Sequence, residues 1–436
     1  MIKINYAHTY LCGHLNTKKR AEEVLGSDAR WQRQVLDEKQ YREACNYYYE
    51  SFVDSLVETG QYNLRGVYSG TAHLVMELNL PCWLQHSRFR EDWALTLCSL
   101  HLFFLPYQIC LFAIEIDEKV DCQSDGLTLA HSLLREVNSY DTFRAEGKMK
   151  EYLDGIQPLL DVCRVTDRYG RTVNEPRYSD LVYTGNKLKA FQIVGANRLS
   201  DELLYELGTM SPIGCVDNHA HGLSPSQSYY EAVMAQNSVS AFRNWKALAL
   251  FDSFTVLGLL DKPEDWRWWR DSYFRFIYIH ALYQKTQLFM VNNRFRSETA
   301  DGKCEGLLQQ MKDQEHWYAF SNISYNFLPQ LIYKSIDTGL EIASEREQLH
   351  HYLVQEAERQ DMLGERRISK LIVALTVLTV FSALYDGTSL VCDTFGIQSD
   401  TPSYRWVAGS LLGVVVLIFQ VWGIWAYCNR RKKTDL

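Results

Sequence analysis

Three groups of residues in this chain have the types and the spacing for chemistry. The first is Cys215-Val216-Asp217-Asn218-His219-Ala220-His221-Gly222. On an extended strand, side chains two apart share a face. Cys215, Asp217, His219 and His221 would then present a thiol, a carboxylate and two imidazoles together, a donor set suited to a transition metal or a polar ligand. The competing expectation is a loop leading into Ser224-Pro225, with the histidines in ordinary hydrogen bonds. The second group is Trp266-Arg267-Trp268-Trp269-Arg270, with Arg275 close behind. Indole faces beside guanidiniums suit a nucleotide base and its phosphates. The plainer expectation is an amphipathic helix that packs its tryptophans in a core or between subunits. The third group lies near the end, around Ile368–Leu384 (ISKLIVALTVLTVFSAL). At about 100° per residue, Glu365, Ser369, Ile372, Thr376, Thr379, Ala383 and Asp386 fall within one sector about 100° wide. If that face lined a symmetric pore, the hydroxyls of 376 and 379 and the carboxylate of 386 would form stacked rings. A carboxylate ring at a mouth attracts cations. Alternatively the threonines bond back to carbonyls one turn earlier, and Asp386 is simply solvated.

The segments that carry the third group are membrane-like. Ile368–Leu384 and a second apolar run, Trp406–Tyr427, are each close to the ~20 residues that a hydrocarbon core of about 30 Å requires. Arg366, Arg367 and Lys370 precede the first run, and Arg430, Arg431, Lys432 and Lys433 follow the second. Asp393 and Asp400 lie between them. Positive charge on the cytoplasmic side puts both termini inside and the connecting loop outside. The first residues have no apolar core of the kind that a signal peptide carries.

Upstream of the membrane the chain reads as an α+β body. Its first stretch, to about Gly60, is rich in charge and helix formers and predicts one or two helices. HLVMELNL, ALTLCSLHLFFL and QICLFAIEIDE have the β-branched and aromatic density of strands. Leu105-Pro106-Tyr107 makes Thr96–Phe104 and Gln108–Ile116 antiparallel neighbours. Leu127–Tyr140 is an amphipathic helix, and VCRVTDRYGRTV and FQIVGANRL are strands around turns. From Ser228 the pattern predicts helices: Tyr229–Leu260, Asp265–Arg296 and Cys304–Tyr325. Pro329 then opens a helix that meets no further proline before Pro402. Unbroken to Leu384, its ~56 residues would span roughly 80 Å at about 1.5 Å each, with Gly339 and Gly364 as weak points. The expected organisation is thus a cytosolic α/β domain (1–227), a helical cytosolic region (228–328) and a stalk helix (329–367). Two transmembrane helices (368–390 and 405–428) follow, joined by an external loop (391–404) and ended by a basic tail (429–436).

Composition excludes several classes. A net charge of −8 argues against a surface for nucleic-acid backbones, which need a local positive excess. The 11 cysteines show no CxxC pair and no zinc spacing, so buried reduced thiols are expected. No GxxxxGK[ST], strand-bounded GxGxxG, nucleophile elbow or zincin spacing occurs, and nothing points to an enzyme.

This layout resembles the CorA family of divalent-cation channels from about His73 to Lys433. The most specific part is ERRISKLIVALTVLTVFSALYDG, followed by the second apolar run and NRRKK. The resemblance implies a homopentamer whose stalk helix runs directly into the pore-lining span, in the inner membrane of a bacterium. One departure is large. Where the family carries Gly-Met-Asn after a tyrosine, this chain has Tyr385 followed by Asp386, Gly387 and Thr388. Tyr385, Asp386 and Gly387 therefore stand at the outer mouth in place of the hydrated-cation filter. CorA-like proteins without that filter occur beside type III CRISPR systems, as membrane effectors triggered by a nucleotide second messenger made from S-adenosylmethionine and ATP (SAM-AMP type). The resemblance implies such a ligand for the cytosolic body, with Trp266, Trp269, Arg270, His219 and His221 as candidate contacts. The alternative is a Mg²⁺, Co²⁺ or Ni²⁺ channel with an altered filter. Either way the partners are the lipid bilayer, further copies of the chain and a small nucleotide or metal ion, with no direct nucleic acid.

Overall fold

The computed structural model describes residues 3–57, 71–84, 93–118, 127–128, 131, 134–135, 150–164, 176–181, 187–217, 224–259, 266–267, 269–298, 304–394, 406, 409–410 and 413–414. The chain divides into two compact units, Met1–Leu353 and Val354–Leu436.

The first unit is built on a nine-stranded sheet of order β2-β3-β4-β5-β1-β6-β9-β8-β7. Its strands are β1 (Ile4–His14), β2 (Gln32–Gln34), β3 (Ala72–Leu84), β4 (Trp93–Leu105), β5 (Ile109–Glu118), β6 (Lys189–Ala196), β7 (Ser238–Val239), β8 (Trp245–Ala249) and β9 (Ser253–Leu259). Neighbours are antiparallel except β6 and β9, which run parallel. The expected hairpin is present, with Phe104 opposite Cys110 and Leu105 opposite Ile109 across a turn. Tyr107 and Gln108 close that turn in the left-handed region.

Alternation puts two different sets of side chains on the two faces. Leu74, Leu97, Leu100, Phe112, Ile114 and Ile116 face α4 (Lys150–Val162). Val194, Leu248 and Leu257 face α5 (Asp201–Thr209). On the opposite face, Tyr10, Phe191, Phe254 and Val256 form the floor of the main core. Above them lie α2 (Glu38–Cys45), α3 (Glu50–Leu56), α7 (Arg275–Glu298), α8 (Cys304–Tyr318) and α9 (Phe327–Gly339). Helices on both faces of one sheet make a three-layer α/β unit. Stacked rings run through its centre: Tyr10 to Phe191 at 5.6 Å and Phe191 to Phe254 at 5.7 Å. Each such buried ring contributes about 1.5–3 kcal/mol.

Several expectations change. The N-terminal stretch is not wholly helical: β1 is a central strand, ahead of α1 (Ala21–Ser27), α2 and α3. Tyr229–Leu260 is not one helix. It starts as α6 (Gln227–Asn237) and continues as β7, β8 and β9. In WKALA and SFTVLGL nearly every side chain is buried, on both faces, which a strand inside a covered sheet achieves and an amphipathic helix does not. The third helix of this region ends at Tyr318 rather than Tyr325. In Leu127–Tyr140, residues 127, 128, 131, 134 and 135 are helical, and the others lie outside the described residues. Of the strand expected at VCRVTDRYGRTV, Val162 closes α4, and residues 165–173 lie outside the described set.

The stalk helix is also interrupted. α9 ends at Gly339, and α10 (Ile342–Thr394) begins after Leu340 and Glu341. Glu341 has a φ of 58°, left-handed for a residue with a side chain; such a conformation costs about 1–2 kcal/mol. The break places Leu340 and Ile342, each 1% exposed, in the core. Packing decides the angle at Gly339, where an added Cβ would lie 2.5 Å from the Ala249 carbonyl oxygen.

In the second unit, α10 continues through the apolar segment. It does not stop at Leu384 but runs through Tyr385, Asp386 and Gly387 to Thr394. Within it lies the one helix, among the described residues, that is long and apolar enough to cross a membrane, and none of its most apolar stretch is buried. Of the second apolar run, residues 406, 409, 410, 413 and 414 are helical and the rest lie outside the described residues.

Candidate ligand-binding site

One end of the inner sheet face is polar instead of apolar. β1 contributes Tyr6 and His8, β4 Ser99 and His101, β5 Glu115 and Asp117, and β3 His73 and Glu77, with Tyr10 of β1 beneath them on Glu115. Alternation puts all of them on the face where the helix layer should bring a core. Two register irregularities lie in this patch, between Glu77 and Leu80 in β3 and between Leu97 and Ser99 in β4. Such bulges re-aim side chains and recur beside functional sites. A π-helical turn, Trp269–Phe274, runs into α7 and closes the patch from above. It supplies Arg270 and Asp271, and α7 adds Arg275. Between the layers is a cavity of about 610 Å³, with exposed Val35, Glu77, Asn79 and Arg267 at its mouth.

Glu115 is the hub. Its side chain is 13% exposed. His8 Nε2 lies 3.0 Å from Oε1 and His101 Nε2 3.2 Å from Oε2, each placed to donate an N–H. The Ser99 hydroxyl donates to Oε2 and the Tyr10 hydroxyl, at 3.0 Å, to Oε1. Arg270 Nη2 is 3.4 Å away. Burial pushes the Glu115 carboxyl up, but the hydrogen bonds from His101 and His8 outweigh it and hold the group well below the carboxylate range. Burial lowers His101 below the usual imidazole range, so its neutral Nε2–H is the donor to an ionised Glu115. His73 Nε2 lies 3.0 Å from His101 Nδ1, and burial lowers His73 as well.

Arg270 and Asp271 form the second layer of charge. Arg270 donates to Asp271 through Nε (2.6 Å) and Nη2 (3.0 Å), and through Nη1 to the Tyr6 hydroxyl at 3.1 Å. Burial opposes ionisation of Asp271, yet Arg270 and Arg275 bring it below its ordinary value. Arg275 is less fully engaged. Its Nη1 reaches the Tyr10 hydroxyl only at 3.5 Å, its guanidinium lies 5.7 Å over the Tyr10 ring, and its buried Nε has no hydrogen-bond partner among the described residues. An arginine held in a cavity with donor capacity left over suits a carboxylate or phosphate oxygen. At the other edge, Asp117 and Glu77 offer acceptors to amine or hydroxyl donors. Cys98 also lines the cavity, but burial pushes its thiol up to about 12, which leaves it protonated and a poor nucleophile.

Of the residues singled out from sequence, Arg267, Arg270 and Arg275 enter this site. Trp266 and Trp269 turn away from it and pack against the main core, Trp269 on Tyr273 at 4.7 Å. The indole faces and the Arg270 guanidinium therefore do not line one cavity together. His219 and His221 lie outside the described residues. Cys215 and Asp217 sit in a turn, not a strand, so alternation does not align them. Cys215 is buried beside α5, where the Val216 N–H donates to Glu206 Oε1 at 3.1 Å. No group of three metal-ligating side chains is assembled among the described residues. On α10, Ser369, Ile372, Thr376, Thr379, Ala383, Tyr385 and Asp386 are all exposed. The Thr376 and Thr379 hydroxyls donate to the Ile372 and Leu375 carbonyls, both at 2.8 Å.

Sequence reading missed His8, Tyr10, Ser99, His101 and Glu115. The available signal was a polar alternation inside runs otherwise apolar enough for a covered sheet: Tyr6, His8, Tyr10; Ser99, His101; Glu115, Asp117. No family model, no curated protein and no solved structure matches the chain.

Proposed function

We propose that this chain is a ligand-triggered membrane effector, in which the polar cavity of the α/β unit senses a small nucleotide and α10 carries the response into the bilayer. One observation carries the reading. α10 is a single helix whose first turns are gripped by α7 and whose later turns are apolar and uncovered. Lys285 on α7 pairs with Glu345 at 2.6 Å, and Arg346 donates to Gln284. α7 also begins at the cavity, with Arg275, and follows directly on the π-turn that carries Arg270 and Asp271. π-turns are frequent at functional sites. A ligand that reorders the π-turn thus has a mechanical path, along α7, to the start of α10.

In this reading 368–390 and 405–428 both span the membrane, both termini are cytoplasmic, and copies assemble as a CorA-like pentamer. One chain supplies too few helices to enclose a water-filled path. Ser369, Ile372, Thr376, Thr379, Ala383 and Asp386 then face the axis. The ligand is of the SAM-AMP class, and the outcome is membrane permeabilisation in antiviral defence. A second reading, a divalent-cation channel with an altered filter, is favoured by the exposed Asp386 on the same helical sector as Thr376 and Thr379.

Dye-loaded liposomes containing the full chain test the proposal. SAM-AMP-type nucleotides should release dye, and Arg275→Met should raise the concentration needed by ~10-fold or more, the scale of a lost charge-assisted contact. Absence of both binding and leakage with all such nucleotides would remove the effector reading. Ligand-independent Mg²⁺, Co²⁺ or Ni²⁺ flux that changes selectivity with Asp386→Ala would establish the second.

A further inference from the structure

A second cavity, of about 360 Å³, lies on the same sheet face at the far end of β1, under the middle of α7. Its walls are apolar, from Leu111 on β5 and Leu282 and Phe289 on α7, and its cationic lining residues are Lys187, Lys189 and Lys285. Asp252 is the one carboxylate lining it among the described residues. Lysines are seldom sequestered, yet the side chains of Lys189 and Lys285 are only 19% and 16% exposed. Both ammoniums converge on one ring: Phe251 lies 3.8 Å from Lys189 Nζ and 4.7 Å from Lys285 Nζ. Phe251 and Asp252 form the turn between β8 and β9, and Lys189 is fastened there by the Phe251 carbonyl at 2.9 Å and Asp252 Oδ1 at 2.8 Å. A hole with an apolar body and a few converging polar groups is the usual form of a small-molecule site.

We infer that this cavity binds an anionic amphiphile: a carboxylate or phosphate head group held by Lys189 and Lys285, with an apolar chain between Leu111, Leu282 and Phe289. Lys285 already holds an anion, Glu345 in the first turn of α10. An incoming head group therefore competes with Glu345, and occupancy loosens the grip of α7 on α10. The site is separate from the polar cavity of the proposed sensor and does not depend on what that cavity binds.

Calorimetric titration of the full chain in nanodiscs of zwitterionic lipid, against empty nanodiscs, tests this. Octanoate and octyl phosphate should bind saturably, and octanol at least ~10-fold more weakly, because it lacks the charge that the lysines hold. Lys285→Gln should weaken octanoate by a similar factor. Glu345→Gln should tighten it several-fold by freeing Lys285, a gain that misfolding cannot imitate. Zwitterionic vesicles doped with phosphatidylglycerol separate the sources: binding to these alone assigns the head group to the bilayer, binding to octanoate alone to a free acid. Equal affinity for octanol and octanoate, no change in Glu345→Gln, or no saturable binding of any anion would overturn the inference.

Discussion

His73, His101 and His280 are buried, and burial drives each of them below the ordinary imidazole range, His280 to about 3. His280 is neutral with both nitrogens engaged: Nε2 lies 3.0 Å from the Tyr318 carbonyl and Nδ1 3.2 Å from Gln284 Nε2. In the unfolded chain these imidazoles take up protons near 6.5, whereas in the folded unit they do not. The unfolded state thus binds more protons below that value, and stability falls as pH drops from 6.5 toward the folded pKa. For His280 the loss at pH 5 is about 2 kcal/mol. Glu115 has the opposite linkage: its lowered pKa stabilises the fold above 4.5 and is lost only below it, so it stays silent between pH 7 and 5. Thermal melting of the full chain in detergent, followed by tryptophan fluorescence, should therefore show a midpoint falling from pH 7.5 to 5. A flat profile would mean that the histidines are not buried neutral.

At the scale of elements, two glycines once equal as weak points of a stalk have become opposites. Gly339 lies where α9 crosses β8, and an added methyl would meet the Ala249 carbonyl at 2.5 Å and its Cβ at 3.0 Å. Gly364 has open space around it in the middle of α10. Gly339→Ala should destabilise the α/β unit by about 1–3 kcal/mol, as overpacking does. Gly364→Ala should stabilise its helix by about 0.5–1 kcal/mol, the propensity difference alone. Chemical denaturation of the two variants beside the parent checks this, and equal effects would contradict the close approach of α9 to β8. The helix is legible from Ile342 onward because it lacks proline and has good helix formers. The break at Glu341 is not, since Leu340 and Ile342 are drawn into a core whose shape is set by strands far away in sequence.

For the molecule as a whole, the sequence charges and the apolar, uncovered stretch of α10 lead to one expectation. A C-terminal tag should be cleaved by protease in inside-out vesicles and protected in right-side-out ones, and a site introduced at Asp400 should behave in the reverse manner. Cleavage of both tags on the same side would mean that the chain crosses the membrane only once. Native mass measurement in detergent would then give the number of copies; a monomer leaves no enclosed path for ions.

Composition and period by themselves pointed to strands at 73–80, 94–105 and 108–118 and to a long late helix with an apolar segment; in FQIVGANRL they pointed to a turn at Gly195-Ala196, where β6 in fact continues to Ala196. Those strands and that helix follow from local chemistry: β-branched density, absence of proline and a run of residues that water does not hold. Only the tertiary structure decided that Trp245–Ala249 and Ser253–Leu259 are strands, because doubly buried runs carry no period that separates strand from helix. It alone brought His8, Ser99, His101 and Glu115 to Arg270, residues up to 262 positions apart in the sequence. Each is an ordinary polar residue on its own strand. Sheet order makes them a site, and sheet order is settled by long-range packing that no single segment encodes.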